Sequence, residues 1–170
     1  MKNKHIINIV RTALFVALIY IVTLFINIPY GVGNINVGDS LILIGALFLS
    51  PIHLGIAGGI GPFLADITLG YGSYAPFTLI IKFLEGIIVS LLYRYVFKNK
   101  NSMICFLLAS LVASIVIPLG YFLTNVFLYD LATGFASLVG DSIQMIASVI
   151  IANVLAYSIR KVLNKYDGKN

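Results

Sequence analysis

The stretch IINIVRTALFVALIYIVTLFI, residues 6–26, carries a single charge, Arg11, near its start. About 20 mostly apolar residues suffice for a helix to cross a bilayer, so this run predicts a first transmembrane helix. Outward from it, residues 27–34 read NIPYGVGN, and one Pro with two Gly breaks the helix. Asp39 and Ser40 are good N-cap types, and they open a second helix over residues 39–49, with Asp39 read as its cap. Ser50-Pro51 then forces a turn, because the residue before Pro avoids the α region. A third helix is predicted over 53–69, a fourth over 76–97, a fifth over 102–127 with a kink at Pro118, and a sixth over 134–162.

Composition agrees with this reading. Of 170 residues, 60% are hydrophobic and 10% are charged, where a soluble domain carries about a quarter charged. A soluble fold could not hide that much apolar surface in one core. The expected architecture is a single all-α integral membrane domain of six transmembrane helices. Lys2 and Lys4 before an apolar run could imitate a signal peptide, but no A-x-A-like cleavage site follows, so the first helix is read as retained. Cys105 is the one cysteine, which excludes an internal disulfide, and no Cys/His cluster points to a metal. The net charge of +5 is read as basic residues facing cytoplasm and anionic lipid, not as a nucleic-acid surface.

The basic residues sort by loop. Lys2, Lys4 and Arg11 lie at the start; Arg94, Lys98 and Lys100 flank the fourth turn; Arg160, Lys161, Lys165 and Lys169 close the chain. Loops 27–38, 70–75 and 128–133 contain none. Positive charge stays inside, which places both termini in the cytoplasm of a multi-pass cell-membrane protein. Merging the short second and third helices would put Lys98 and Lys100 outside; a re-entrant hairpin in their place would keep the same topology.

Charged groups in a bilayer cost several kcal/mol and mark function by default. Lys82 lies about 9 Å below the outer end of the fourth helix, and Glu85 about one turn deeper. Asp66, Tyr121, Thr124, Asn125, Asp141 and Gln144 fall in the same outer layer, which predicts a polar cavity entered from outside. Lys82 and Glu85, at i,i+3, are either ligand contacts or a structural ion pair, and Asp66 is either a ligand contact or a further partner of Lys82. Asp141 and Gln144 are favoured as site residues, since no basic residue near them in sequence could neutralise Asp141. Tyr74, Phe77, Tyr121, Phe122, Phe127 and Tyr129 read as an interfacial aromatic belt, some of them as stacking faces for a flat heteroaromatic ligand. Gly55, Gly58, Gly59 and Gly61 predict close helix packing, and Ala13 with Ala17 forms a small-residue face that Ala109 and Ala113 repeat. His53 reads as interfacial. No nucleotide loop, H-E-x-x-H motif or nucleophile elbow occurs, so neither enzyme activity nor ATP hydrolysis by this chain is expected.

Several stretches resemble the substrate-binding S components of energy-coupling-factor (ECF) vitamin transporters. They are residues 36–46 (NVGDSLILIGA), 57–61 (AGGIG), Ala65-Asp66, 75–82 (APFTLIIK) and Glu85-Gly86. The resemblance implies a vitamin-capture subunit, with ligand enclosed by the first outer loop and helices four to six. On that basis Asn34, Asn36, Tyr74, Lys82, Glu85, Tyr121, Asn125, Asp141 and Gln144 are the substrate-binding candidates, and Ala13 and Ala17 match the family's docking motif. The implied partners are a transmembrane coupling protein and two ATPases, with a vitamin carried as substrate and no cofactor. The region from Lys82 to Gly86 is more similar to members assigned to vitamin B6 or hydroxymethylpyrimidine than to typical riboflavin members. The absence of Trp departs from the Trp-lined pockets of thiamine members. A self-sufficient proton-coupled carrier using Asp66, Lys82 and Glu85 is the alternative.

Overall fold

The computed structural model describes residues 2–30, 33–97 and 103–167. Its elements are α1 (Lys2–Phe25), β1 (Asn27–Tyr30), β2 (Gly33–Asn36), α2 (Gly38–Gly45), α3 (Pro51–Leu69), α4 (Ala75–Leu91), α5 (Met103–Ser114), α6 (Val116–Leu128) and α7 (Leu131–Asp167), with a π-helical turn, Leu92–Val96, ending α4. Five segments are long and apolar enough to cross a membrane: α1, α3, α4 with its π turn, α5 and α6 run together, and α7. At eight residues, α2 is about 12 Å long and does not cross alone. Lys98 and Lys100 lie outside the described residues, as do the side chains of Lys2, Lys4, Lys165 and Lys169.

Local chemistry sets the helix ends. Pro51 opens α3 after extended Ser50, and Gly70 ends it at φ 86°, the left-handed conformation glycine tolerates. The Gly70 N–H bonds Ile67 O and the Tyr71 N–H bonds Asp66 O, the paired bonds of a Schellman motif. Pro118 has no N–H to offer the Ser114 carbonyl, and the fifth predicted helix is broken between Ser114 and Val116 into α5 and α6. The sixth begins three residues earlier than expected because Asp130 caps it, its Oδ1 accepting the Thr133 N–H at 2.7 Å. That bond holds the exposed Asp130 carboxyl below its usual range.

The architecture is helical as expected, with one addition: in the first outer loop, strands Asn27–Tyr30 and Gly33–Asn36 pair antiparallel, Asn27 with Asn36 and Ile28 with Ile35. One expectation is corrected, because Asp39 is not a cap: Val37 holds that position without a side-chain bond, and Asp39 sits inside the first turn, fully buried.

The glycines of α3 bring its backbone against α4. A Cβ on Gly86 would stand 2.7 Å from Leu54 O, and one on Gly58 would stand 2.9 Å from Lys82 O. Only a bare backbone permits that approach, and it fixes where Lys82 enters the bundle. At one end of the molecule Ser90 Oγ donates to Leu49 O, Arg94 Nε to Ala46 O, and Arg160 to Tyr93 OH and Met103 Sδ. That end therefore gathers the C-termini of α2, α4 and α7 with the start of α5. His53 is there too, its ring bonded to Ser50. The hairpin, the start of α4, the end of α6 and the start of α7 lie at the opposite end.

Candidate ligand-binding site

Polar side chains meet at the hairpin end, deep within an otherwise apolar bundle. Lys82 on α4 is fully buried, its Nζ 2.6 Å from Asp39 Oδ1 on α2 and 3.9 Å from Glu85 Oε2 one turn along its own helix. The i,i+3 pair foreseen from spacing exists, but the closer partner is Asp39. The ammonium also stands 5.5 Å from the centre of the Tyr121 ring, a cation–π distance. Ser114 Oγ, one turn before Pro118, donates to Glu85 Oε1 at 3.3 Å.

Gln144 on α7 ties this group to the hairpin. Its Nε2 donates to Asp39 Oδ2 at 2.6 Å, and its Oε1 accepts the Asn36 N–H at 3.1 Å. Asn36 Oδ1 in turn accepts the Gly38 N–H. The Gln144 amide thus has both ends engaged and acts as a strut between β2 and α2. In Gln144→Ala the Asn36 N–H and Asp39 Oδ2 lose their partner, at a cost of about 1–3 kcal/mol. The expected result is a lower melting temperature with faster amide hydrogen exchange at Asn36. Unchanged exchange there would show that something else holds the hairpin.

A second group lies between α4 and α6. Tyr74 OH donates to Asn125 Oδ1, Asn125 Nδ2 donates to Tyr121 O, and Thr78 Oγ1 bonds Tyr121 OH at 3.1 Å. Asp66, from the end of α3, reaches Thr78 and lies in the field of Lys82. Asp141, one turn before Gln144, is 8% exposed and approached by Ser137, and its Oδ2 has no hydrogen-bond partner among the described residues.

The structure therefore brings together Asn36, Tyr74, Lys82, Glu85, Tyr121, Asn125, Asp141 and Gln144. Asn34 lies on β2 with its side chain outside the described residues. Ala13 and Ala17 are elsewhere, exposed on α1. Sequence reasoning missed Asp39, Thr78, Ser114 and Ser137. Thr78 had a signal: it precedes Lys82 by four residues and so shares its helix face. Of the aromatics, Phe77 pairs with Phe127 and Phe122 with Phe135, and Phe127 is 77% exposed, as a belt residue would be. Tyr121 faces inward.

Five membrane-length segments, a hairpin at one end and a buried polar group beneath it are the marks of a multi-pass membrane protein. The profile of the family described as "ECF-type riboflavin transporter, S component" matches residues 3–161, and the chain belongs to the S-component family of ECF transporters. A "thiamine precursor transporter HmpT" of Lactococcus lactis subsp. cremoris is 30% identical over 98% of this chain and 96% of its own. A Pyrococcus woesei protein described as "uncharacterized protein in gap 3'region" is 36% identical over 80% of this chain and 88% of its own. The solved chain described as "Structure and mechanism of the S component of a bacterial ECF transporter" has the same fold, with a TM-score of 0.64 and 18% identity over 98% of both chains.

Proposed function

We propose that this chain captures a pyrimidine-type vitamin precursor at the outer face of the cell membrane. It would deliver the ligand inward after docking on a transmembrane coupling protein with two ATPases. The observation that carries this reading is the contrast between the two ends of the bundle. Hydrogen-bonding groups from β2, the start of α4, α6 and α7 converge under the hairpin, whereas Arg94 and Arg160 lie at the far end. By the positive-inside rule the Arg end is cytoplasmic, so both termini face inward and the polar site faces outward. Buried donors and acceptors suit a small heteroaromatic ligand, because the bilayer offers no water to match its polar groups. The Lactococcus relative named for a thiamine precursor supports a vitamin precursor as the ligand, and the resemblance of residues 82–86 to hydroxymethylpyrimidine members favours a pyrimidine.

Reconstitution in liposomes tests the reading. The chain alone should bind the hydroxymethyl-aminopyrimidine without accumulating it, since it has no nucleotide loop. Adding coupling protein and ATPases should give ATP-dependent accumulation. Concentrative uptake by the lone chain under a proton gradient would instead make it a self-sufficient carrier working through Asp66, Lys82 and Glu85.

A further inference from the structure

We infer that the ligand presents a hydrogen-bond donor edge or a protonated amine to Asp141, and that phosphorylated forms of the same compound are rejected. This rests on the capture-subunit reading and deepens it. Of the chain's six acids, Asp39 and Glu85 pair with one ammonium, Lys82, and Asp66 and Asp141 lie within its electrostatic reach. Lys82 is engaged by Asp39 at 2.6 Å and Glu85 at 3.9 Å. Of the other described Lys and Arg residues, Arg94 and Arg160 bond groups at the far end of the bundle, and Arg11 and Lys161 are exposed.

The neutral groups that could greet an anion are committed as well. Gln144 donates to Asp39, and Asn125 donates to Tyr121 O. Buried side-chain atoms without a hydrogen bond among the described residues include Thr23 Oγ1, Asn27 Oδ1 and Ser148 Oγ, and the charged one among them that no ion pair meets is an acceptor, Asp141 Oδ2. A buried carboxylate oxygen costs free energy until a donor meets it. An amino group beside a ring nitrogen, or an ammonium, supplies that donor through a charge-assisted bond. Phosphorylating such a compound leaves that donor in place but adds negative charge where acids outnumber the base, in a medium that screens poorly.

The test is calorimetric titration of the purified chain with two compounds and their phosphate monoesters, hydroxymethyl-aminopyrimidine and pyridoxamine. At least one unphosphorylated compound should bind, with its phosphate about 100-fold weaker or undetectable. Asp141→Asn should weaken that binding roughly 10- to 100-fold while the ligand-free variant melts at or above the temperature of the unsubstituted chain. That second readout separates ligand contact from structural support, since loss of a supporting group would lower the ligand-free melting temperature. Tighter binding of either phosphate, unchanged affinity in Asp141→Asn, or failure of both amines to bind would overturn the inference. Assembly with coupling protein and ATPases is scored separately. A chain that assembles yet prefers a phosphate overturns this inference alone, and one that binds the amine but never assembles overturns the proposed function.

Discussion

Lys82→Met is expected to be the most destabilising conservative substitution in the chain. Methionine nearly preserves the volume of the lysine stem, and the approach to Gly58 is made by the backbone oxygen at position 82, so the charge is what changes. Lys82 neutralises two buried acids, Asp39 at 2.6 Å and Glu85 at 3.9 Å, and all three residues are fully buried. Removing one partner of a buried ion pair costs about 3–5 kcal/mol, because the remaining charge is left without compensation. Asp39→Asn should cost less, since Lys82 retains Glu85 and an amide at position 39 can still bond Gln144. In the double variant Lys82→Met/Asp39→Asn one stranded charge is gone, so part of the loss should return. The expected order of melting temperatures in detergent is therefore unsubstituted chain, Asp39→Asn, double variant, Lys82→Met. If Lys82→Met melts with the unsubstituted chain, the ion pair is not what joins α2 to α4.

The asymmetry between those variants also marks where sequence reading stopped. The membrane helices were legible because an apolar run of 20 residues has few other fates, and the break near Pro118 because proline's missing N–H is a local fact. The hairpin was not. Four residues a strand, one of them Pro29, leave no usable alternation. Residue types placed Lys82, Glu85, Asp141 and Gln144 in one layer, but not which of them bond. Asp39 and Gln144 meet across 105 positions, and no spacing rule reaches that far. Asp39 beside Ser40 looks like a cap until α7 and α4 arrive, and the residue that does cap a helix, Asp130, fell in a segment taken for loop. Part of the polar cluster, Lys82, Glu85, Asp141 and Gln144, was therefore readable, whereas Asp39's place in it and the division between strut and open acceptor were tertiary properties.

Ala13→Trp with Ala17→Trp is expected to abolish uptake while leaving ligand affinity within about twofold, the range of a surface change remote from the site. The two alanines lie at i,i+4 on an exposed face of α1, beside exposed Leu14, Leu18 and Ile21. The opposite face, with Thr12, Ile19 and Thr23, is buried, and Ile19 packs against Gly61 of α3. No site residue comes from α1, so bulk added at Ala13 and Ala17 projects away from the ligand. A small-residue face lets another helix approach closely, and two indoles would hold a coupling protein off. Ala109 and Ala113 repeat the same spacing on α5 but are fully buried, which makes them the matching control. Tryptophan there should overpack the core and lower the melting temperature, whereas at Ala13 and Ala17 the ligand-bound chain should remain folded and fail only to assemble and transport. ATP-dependent uptake in liposomes and co-purification with the ATPases, measured beside calorimetric affinity, distinguish the outcomes. Normal uptake by the Ala13/Ala17 variant would move the docking surface off α1.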